Sequence, residues 1–181
     1  MRKIRYDYKA LARIFGKNKR NISKIKKAFD VEIKIDKEIT VKASKGDKAI
    51  KEYLVDNVLQ ALALGFDIES ALLLKDMDYV FKIIDLRNYA RGSRLNTIVS
   101  RLIGRRGKAK KVIEELSKCR IVVSDHKVGI IGKAEHIEIA TMAIEKLIRG
   151  SPHAKVFRFL ERSKGYLEEQ EKLIEELQNE I

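Results

Sequence analysis

Leu102-Ile103-Gly104-Arg105-Arg106-Gly107-Lys108 is the stretch of this 181-residue chain whose residue types and spacing could do chemistry. An apolar run enters a Gly-x-x-Gly turn carrying Arg105 and Arg106. A basic amphipathic segment with Lys110, Lys111, Val112, Ile113 and Leu116 leaves it. Neither glycine has a Cβ, so a phosphodiester backbone can approach the main chain closely. A helix starting here offers its unpaired N–H groups and the positive end of its dipole to phosphates. Arg105, Arg106 and Lys108 add formal charge at the same place. The chemistry implied is capture of a phosphate backbone. A P-loop is excluded by spacing, because it needs four residues between its glycines and Ser or Thr after the lysine. Here there are two, and Ala109 follows Lys108.

The flanking segments say what positions this turn. Tyr79 to Leu86 alternates as a strand, and Leu95 to Ile103 has helical periodicity. After the basic helix come two short apolar strands, Ile121 to Ser124 and Lys127 to Ile131. A closing helix carries Ile137, Ala140, Ile144 and Leu147 on one stripe. Helix, Gly-x-x-Gly, helix, strand, strand, helix resembles the K-homology (KH) type I pattern, whose turn clamps about four nucleotides of single-stranded RNA. That resemblance implies a base groove between the first helices and the second strand. Leu102, Ile103, Val112, Ile121 and Val123 are candidates to line it, of which about two should touch a base. Arg91 and Arg94, together with Arg87, precede the first helix as candidate phosphate contacts, as do Lys110 and Lys111 after the turn.

The first half of the chain echoes the second. With Gly16 aligned on Gly104, Ile25 meets Ile113, Ala28 meets Leu116 and Ile33 meets Ile121. Ile4, Tyr6 and Tyr8 alternate as a strand. Ala10 to Phe15 and Asn21 to Phe29 read as helices, and Val31 to Ile35 and Ile39 to Val41 as strands. A helix after Asp47 has its stripe at Ile50, Leu54, Val58 and Ala61. The expected fold is α+β: two tandem type I KH domains, each a three-stranded antiparallel sheet with three helices on one face, plus a C-terminal helix. The expected boundaries are 1–75, 76–160 and 161–181. The copies differ where it matters, because Lys19 stands where the second unit has Gly107. The first unit is therefore expected to be degenerate, with Gly16, Lys17, Lys19 and Arg20 making at most a weak secondary RNA contact.

Charge agrees with a polyanionic partner. The chain carries a net +13. Residues 161–181 hold seven glutamates against Arg162, Lys164 and Lys172, so the acidic end is net −4 and residues 1–160 carry +17. No apolar run is long enough to span a bilayer, which disfavours a membrane as the polyanion. The single cysteine, Cys119, begins a strand and reads as a small core residue in a reducing, cytoplasmic setting. His126, His136 and His153 are scattered without metal-ligand spacing. No metal, no cofactor and no catalytic constellation are expected, so the protein is not read as an enzyme. From Ser163 the chain reads as a helix with Leu167, Ile174 and Ile181 seven apart. That stripe either packs on the preceding domain or docks a partner.

A more specific resemblance runs from about residue 64 to 160. Gly65-Phe66 followed by Ile68, Ala71, Leu72 and Leu74, then Arg101 to Lys108, Arg120-Ile121-Val122 with Asp125, Ile130-Ile131-Gly132, Gly150-Ser151-Pro152 and Lys155-Val156-Phe157 fall in order. Together these resemble the archaeal and eukaryotic Dim-two proteins, also called Partner-of-Nob, which are two-KH small-subunit assembly factors related to the Krr-type proteins. The resemblance adds Arg101 and Lys155 to the candidate RNA contacts. It implies binding near the 3′ end of small-subunit (16S-type) rRNA during pre-rRNA processing. It also implies cooperation with the Nob endonuclease and, in archaea, with a subunit of translation initiation factor two. The residues by themselves leave open a KH-fold protein-interaction adaptor or a general RNA-binding regulator.

Overall fold

The structure is a computed structural model that describes residues 2–4, 8–16, 19–35, 39–43 and 46–179. The chain forms two compact units, Met1–Phe81 and Lys82–Ile181. Tyr6, Lys17, Asn18 and Ile181 lie outside the described residues.

Unit one runs β1 (Arg2–Ile4), α1 (Tyr8–Phe15), α2 (Arg20–Phe29), β2 (Val31–Ile35), β3 (Ile39–Ala43), α3 (Lys48–Leu64) and α4 (Ile68–Leu72), followed by a 3-10 turn at Leu73–Lys75. The strands form an antiparallel sheet in the order β1-β3-β2, with Ile33 opposite Val41. Period-two alternation builds it: Val31, Ile33, Val41 and Ala43 are buried while Glu32 and Lys42 face solvent. The stripe expected on α3 is corrected. Val55, Val58, Leu59 and Leu62 form the buried face against α1 and β3, and Ile50 is 43 % exposed. Of the expected stripe, Val58 and Ala61 are buried and Leu54 is half-buried, so the correction falls on Ile50, the first of the four.

Unit two runs β4 (Tyr79–Asp85), a 3-10 turn at Leu86–Asn88, α5 (Gly92–Ile103), a 3-10 turn at Arg105–Gly107, α6 (Lys108–Ser117), β5 (Arg120–Ser124), β6 (Lys127–Lys133), α7 (Ala134–Ile148) and α8 (His153–Asn179). The sheet order is β4-β6-β5, which leaves β5 at an edge. The core gathers Leu86, Leu95, Ile98, Leu102, Ile113, Ile121, Val128, Ile130, Ile137, Ile144 and Leu147, and α8 adds Val156 and Leu160. Cys119 belongs to this core. Burial pushes its thiol up to about 11, and a Cβ on Gly132 would lie 2.6 Å from its sulfur, so the two residues fit only as a pair.

The acidic segment from residue 161 is not set apart from the body. It is the greater part of the 27-residue helix α8, which packs on α6 and α7. Leu167 is buried. Lys118, held in the left-handed region at the end of α6, reaches Glu171 at 2.9 Å and Glu168 at 3.9 Å. The hydrogen bond from Lys118 holds the Glu171 carboxyl below the usual carboxylate range. The other Glu171 oxygen lies 3.2 Å from Nε2 of buried His136. Burial lowers the His136 pKa, with Glu171 pulling the other way. Of the heptad residues, Leu167 is in place, while Leu173 and Leu177 beside them stay exposed.

Candidate nucleic-acid interface

The turn between α5 and α6 is built by two glycines with different tasks. Gly104 has φ +73° and ψ 176°, a region only glycine occupies comfortably. Its missing Cβ is also a packing requirement, because a Cβ there would sit 2.6 Å from the Ala109 Cβ and 2.8 Å from the Ala109 backbone nitrogen. Gly107 has φ +75° and ψ 7°, yet a Cβ added to it meets nothing within 4 Å. Gly104 thus locks the turn onto α6, and Gly107 keeps its outer side open. Between them Arg106 is itself left-handed, at φ +53° and ψ 33°. A non-glycine residue pays roughly 1 kcal/mol for that conformation, and such strain concentrates at binding sites.

The electrostatics follow from the same geometry. Gly107, the N-cap of α6, has no side chain to cap the helix; the Gly107 and Lys108 amides close the turn on the Gly104 and Arg105 carbonyls, and the positive dipole end of α6 lies at this turn. Arg105, Arg106 and Lys108 are exposed, and none is ion-paired to another described residue. Lys110 leans back onto Glu114 at 2.8 Å, and Lys111 lies 3.8 Å from Glu115. Arg91 and Arg94 are exposed at the start of α5.

One groove wall is the free edge of β5. Oε1 of Glu114 accepts from the Ile121 amide at 2.8 Å, so that amide points away from β6. The register pairs Ile121 with Ile130 and Val123 with Val128. Alternation in an antiparallel ladder then turns the Val123 N–H and C=O to the same outer edge. That edge has the donor and acceptor a planar base edge could pair with.

Several candidate contacts are corrected. Leu102 and Ile121 are 2 % and 3 % exposed and belong to the core, so they support the groove from below. Ile103, Val112 and Val123 are the candidates left half-exposed. Arg101 is tied up structurally: its Nη2 donates to the Ser151 carbonyl at 2.7 Å, and Nε2 of His153 lies 2.9 Å from the Arg101 carbonyl. It fastens the end of α5 to the start of α8. Lys155 is exposed on α8. Glu114 and His153 were missed as positioning residues. The Lys110–Glu114 spacing of four was a visible signal for Glu114; nothing local pointed to His153. Among the described residues no cluster of His, Cys, Asp or Glu is placed to hold a metal ion, and no helix is long and apolar enough to cross a membrane.

The corresponding turn of unit one is built otherwise. Lys19 adopts φ +55° and ψ 22°, so the left-handed turn survives the loss of glycine. Its side chain now occupies the side that Gly107 leaves open. Gly16 faces the Asn21 side chain, whose Nδ2 donates to the Arg13 carbonyl at 3.2 Å and fills the space at the turn. Lys19 and Arg20 are exposed, and Lys17 lies outside the described residues.

The model of the eukaryotic-type KH domain (KH-domain type I) matches residues 80–165. This corrects the expected fold class. One type I KH domain is matched, in unit two. The three-stranded α+β unit before it, with Lys19 at the turn and its added α4, falls outside the match. A KH domain-containing protein of Methanocaldococcus jannaschii is 35 % identical over 156 residues, covering 83 % of this chain and 68 % of that protein. The pre-rRNA-processing protein pno1 of Schizosaccharomyces pombe is 39 % identical over 120 residues, covering 64 % of this chain. The chain spans about half, 48 %, of that protein's length. A solved a/eIF2alpha–aDim2p–rRNA complex from Pyrococcus horikoshii OT3 contains a chain that superposes with a TM-score of 0.83 at 32 % identity, covering 91 % of this chain and 93 % of that one. The chain belongs to the Dim2p/pno1 family of KH-domain proteins.

Proposed function

We propose that this protein binds single-stranded RNA through unit two and acts in ribosome biogenesis, on small-subunit rRNA near its 3′ end during pre-rRNA processing. The observation that carries this reading is the exposed cationic turn from Gly104 to Lys108, unpaired among the described residues and set at the uncapped start of α6. Arg105, Arg106 and Lys108 take phosphates at the positive end of α6, Arg91, Arg94, Lys110 and Lys111 add to the field, and Ile103, Val112 and Val123 meet bases. Lys19 and Arg20 of unit one contribute a weaker, non-specific contact. Support for the RNA class and the process comes from the relatives, one named for pre-rRNA processing and one solved with rRNA. The same complex supports an initiation-factor alpha subunit as a partner, and the family resemblance adds the Nob endonuclease. The protein acts by binding, not by catalysis, and works in the cytoplasm.

The test is competition between a short single-stranded RNA and the same strand hybridised to its complement. A KH groove reads splayed bases that a duplex hides, so the single strand should compete on the order of tenfold better. Equal competition would reduce the turn to a basic surface, and no binding at moderate salt would favour an adaptor role.

A further inference from the structure

A second basic surface lies on α8. Lys155, Arg158 and Arg162 are all exposed and fall, at about 100° per residue, within one narrow band of the helix. None is ion-paired to another described residue, whereas Lys118 and Lys164 are held by Glu168. Tyr166 follows one turn after Arg162 on the same band and is 62 % exposed. Beside it Gly165 interrupts the middle of a long helix, where glycine is unfavourable. A Cβ there would meet nothing within 4 Å, so packing does not require the glycine. What it leaves is open backbone next to an open ring. The band is joined to the candidate site, because Arg101, Ser151 and His153 pin the start of α8 to the last turn of α5, directly ahead of Gly104. From Lys155 to Tyr166 it runs about 16 Å. Exposed Glu169, one turn further on, ends it with negative charge.

We propose that this face of α8 is a second RNA contact, in which Lys155, Arg158 and Arg162 take phosphates of the strand leaving the clamp and Tyr166 stacks one of its bases. Cations in a row ending in an aromatic ring match a chain that alternates phosphate and planar base, and this is how single strands are held without sequence preference. The inference rests on the reading that the Gly104 turn binds single-stranded RNA.

The test uses the full chain and two unstructured RNAs of about 5 and about 15 nucleotides, the longer extending the shorter at both ends. Arg158→Glu with Arg162→Glu should lower affinity for the long RNA on the order of tenfold and flatten its salt dependence by about 1.4 in logarithmic slope. Tyr166→Ala should lower it about fivefold or more. Affinity for the short RNA should not change, and melting curves should match the parent because all three side chains are exposed. An unchanged affinity for the long RNA, or an equal fall for both RNAs, would overturn the proposal. Arg105→Asp with Arg106→Asp is the separate control, because it should weaken both RNAs. If that variant keeps the short RNA at full affinity, the reading of the turn fails, whatever the α8 variants do.

Discussion

Replacing Arg105 and Arg106 together by aspartate should strongly weaken single-stranded RNA binding and leave unit two folded. Both side chains are exposed, and neither is ion-paired to another described residue, so the fold loses nothing it uses. The effect on the ligand is large because two attractive charges become two repulsive ones against the phosphates. Each lost phosphate contact lowers the logarithmic salt slope by about 0.7 for a single strand, and reversal adds repulsion to that loss. A fall in affinity on the order of a hundredfold at moderate salt is expected. Circular dichroism and a melting curve matching the parent should accompany it. The comparable reversal at Lys19 and Arg20 should cost only a few-fold, because that turn presents a side chain where unit two presents Gly107. Retained affinity in the double aspartate variant with a native spectrum would remove the turn from the site.

Gly104→Ala should unfold the turn and destabilise the whole of unit two, whereas Gly107→Ala should not. At Gly104 a methyl group meets the Ala109 Cβ at 2.6 Å and its backbone nitrogen at 2.8 Å, and the backbone sits at φ +73° and ψ 176°. Neither problem can be relieved without moving α6, whose Ile113 is in the core. Strain of this kind costs about 3 kcal/mol, which for a unit of this size lowers the melting temperature by about 10 °C or more. At Gly107 there is open space and an ordinary left-handed conformation, so the cost is about 1 kcal/mol. Gly107→Ala should therefore keep most of the stability and still weaken RNA binding, since the new methyl occupies the side where the phosphate backbone approaches. Equal melting temperatures for the two variants would contradict this division of labour.

The turn itself was legible in the sequence because its signals are local. Glycine spacing, the arginines between and the amphipathic helix after it all fall within fifteen residues, and the turn appears where they place it. Which of two adjacent apolar residues faces the core was not legible. Leu102 and Ile103 are equivalent by type, and only the packing of α5 on α6 and α7 in the folded unit puts Leu102 in the core. Arg101 read as one more cation of the site because its partner, the Ser151 carbonyl, lies fifty residues away. For the acidic end the sequence leaves packing on the preceding domain and partner docking both open, because Lys118 and His136, which fasten Glu171 to the body, are distant in sequence. The expected second KH domain rested on a pattern of strands and helices that unit one shares. Lys19 at the glycine position already marked that unit as a departure from the pattern.

In the proposed complex, single-stranded RNA is held by the Gly104–Lys108 turn and the edge of β5. Following backbone amide resonances of the full chain during titration with a short single-stranded RNA tests it most directly. The largest shifts are expected at Gly104 to Lys108, around the cationic turn, and at Val123, whose N–H lies on the free edge. Saturating shifts confined to unit one or to the distal half of α8, with the turn and Val123 unmoved, would contradict it.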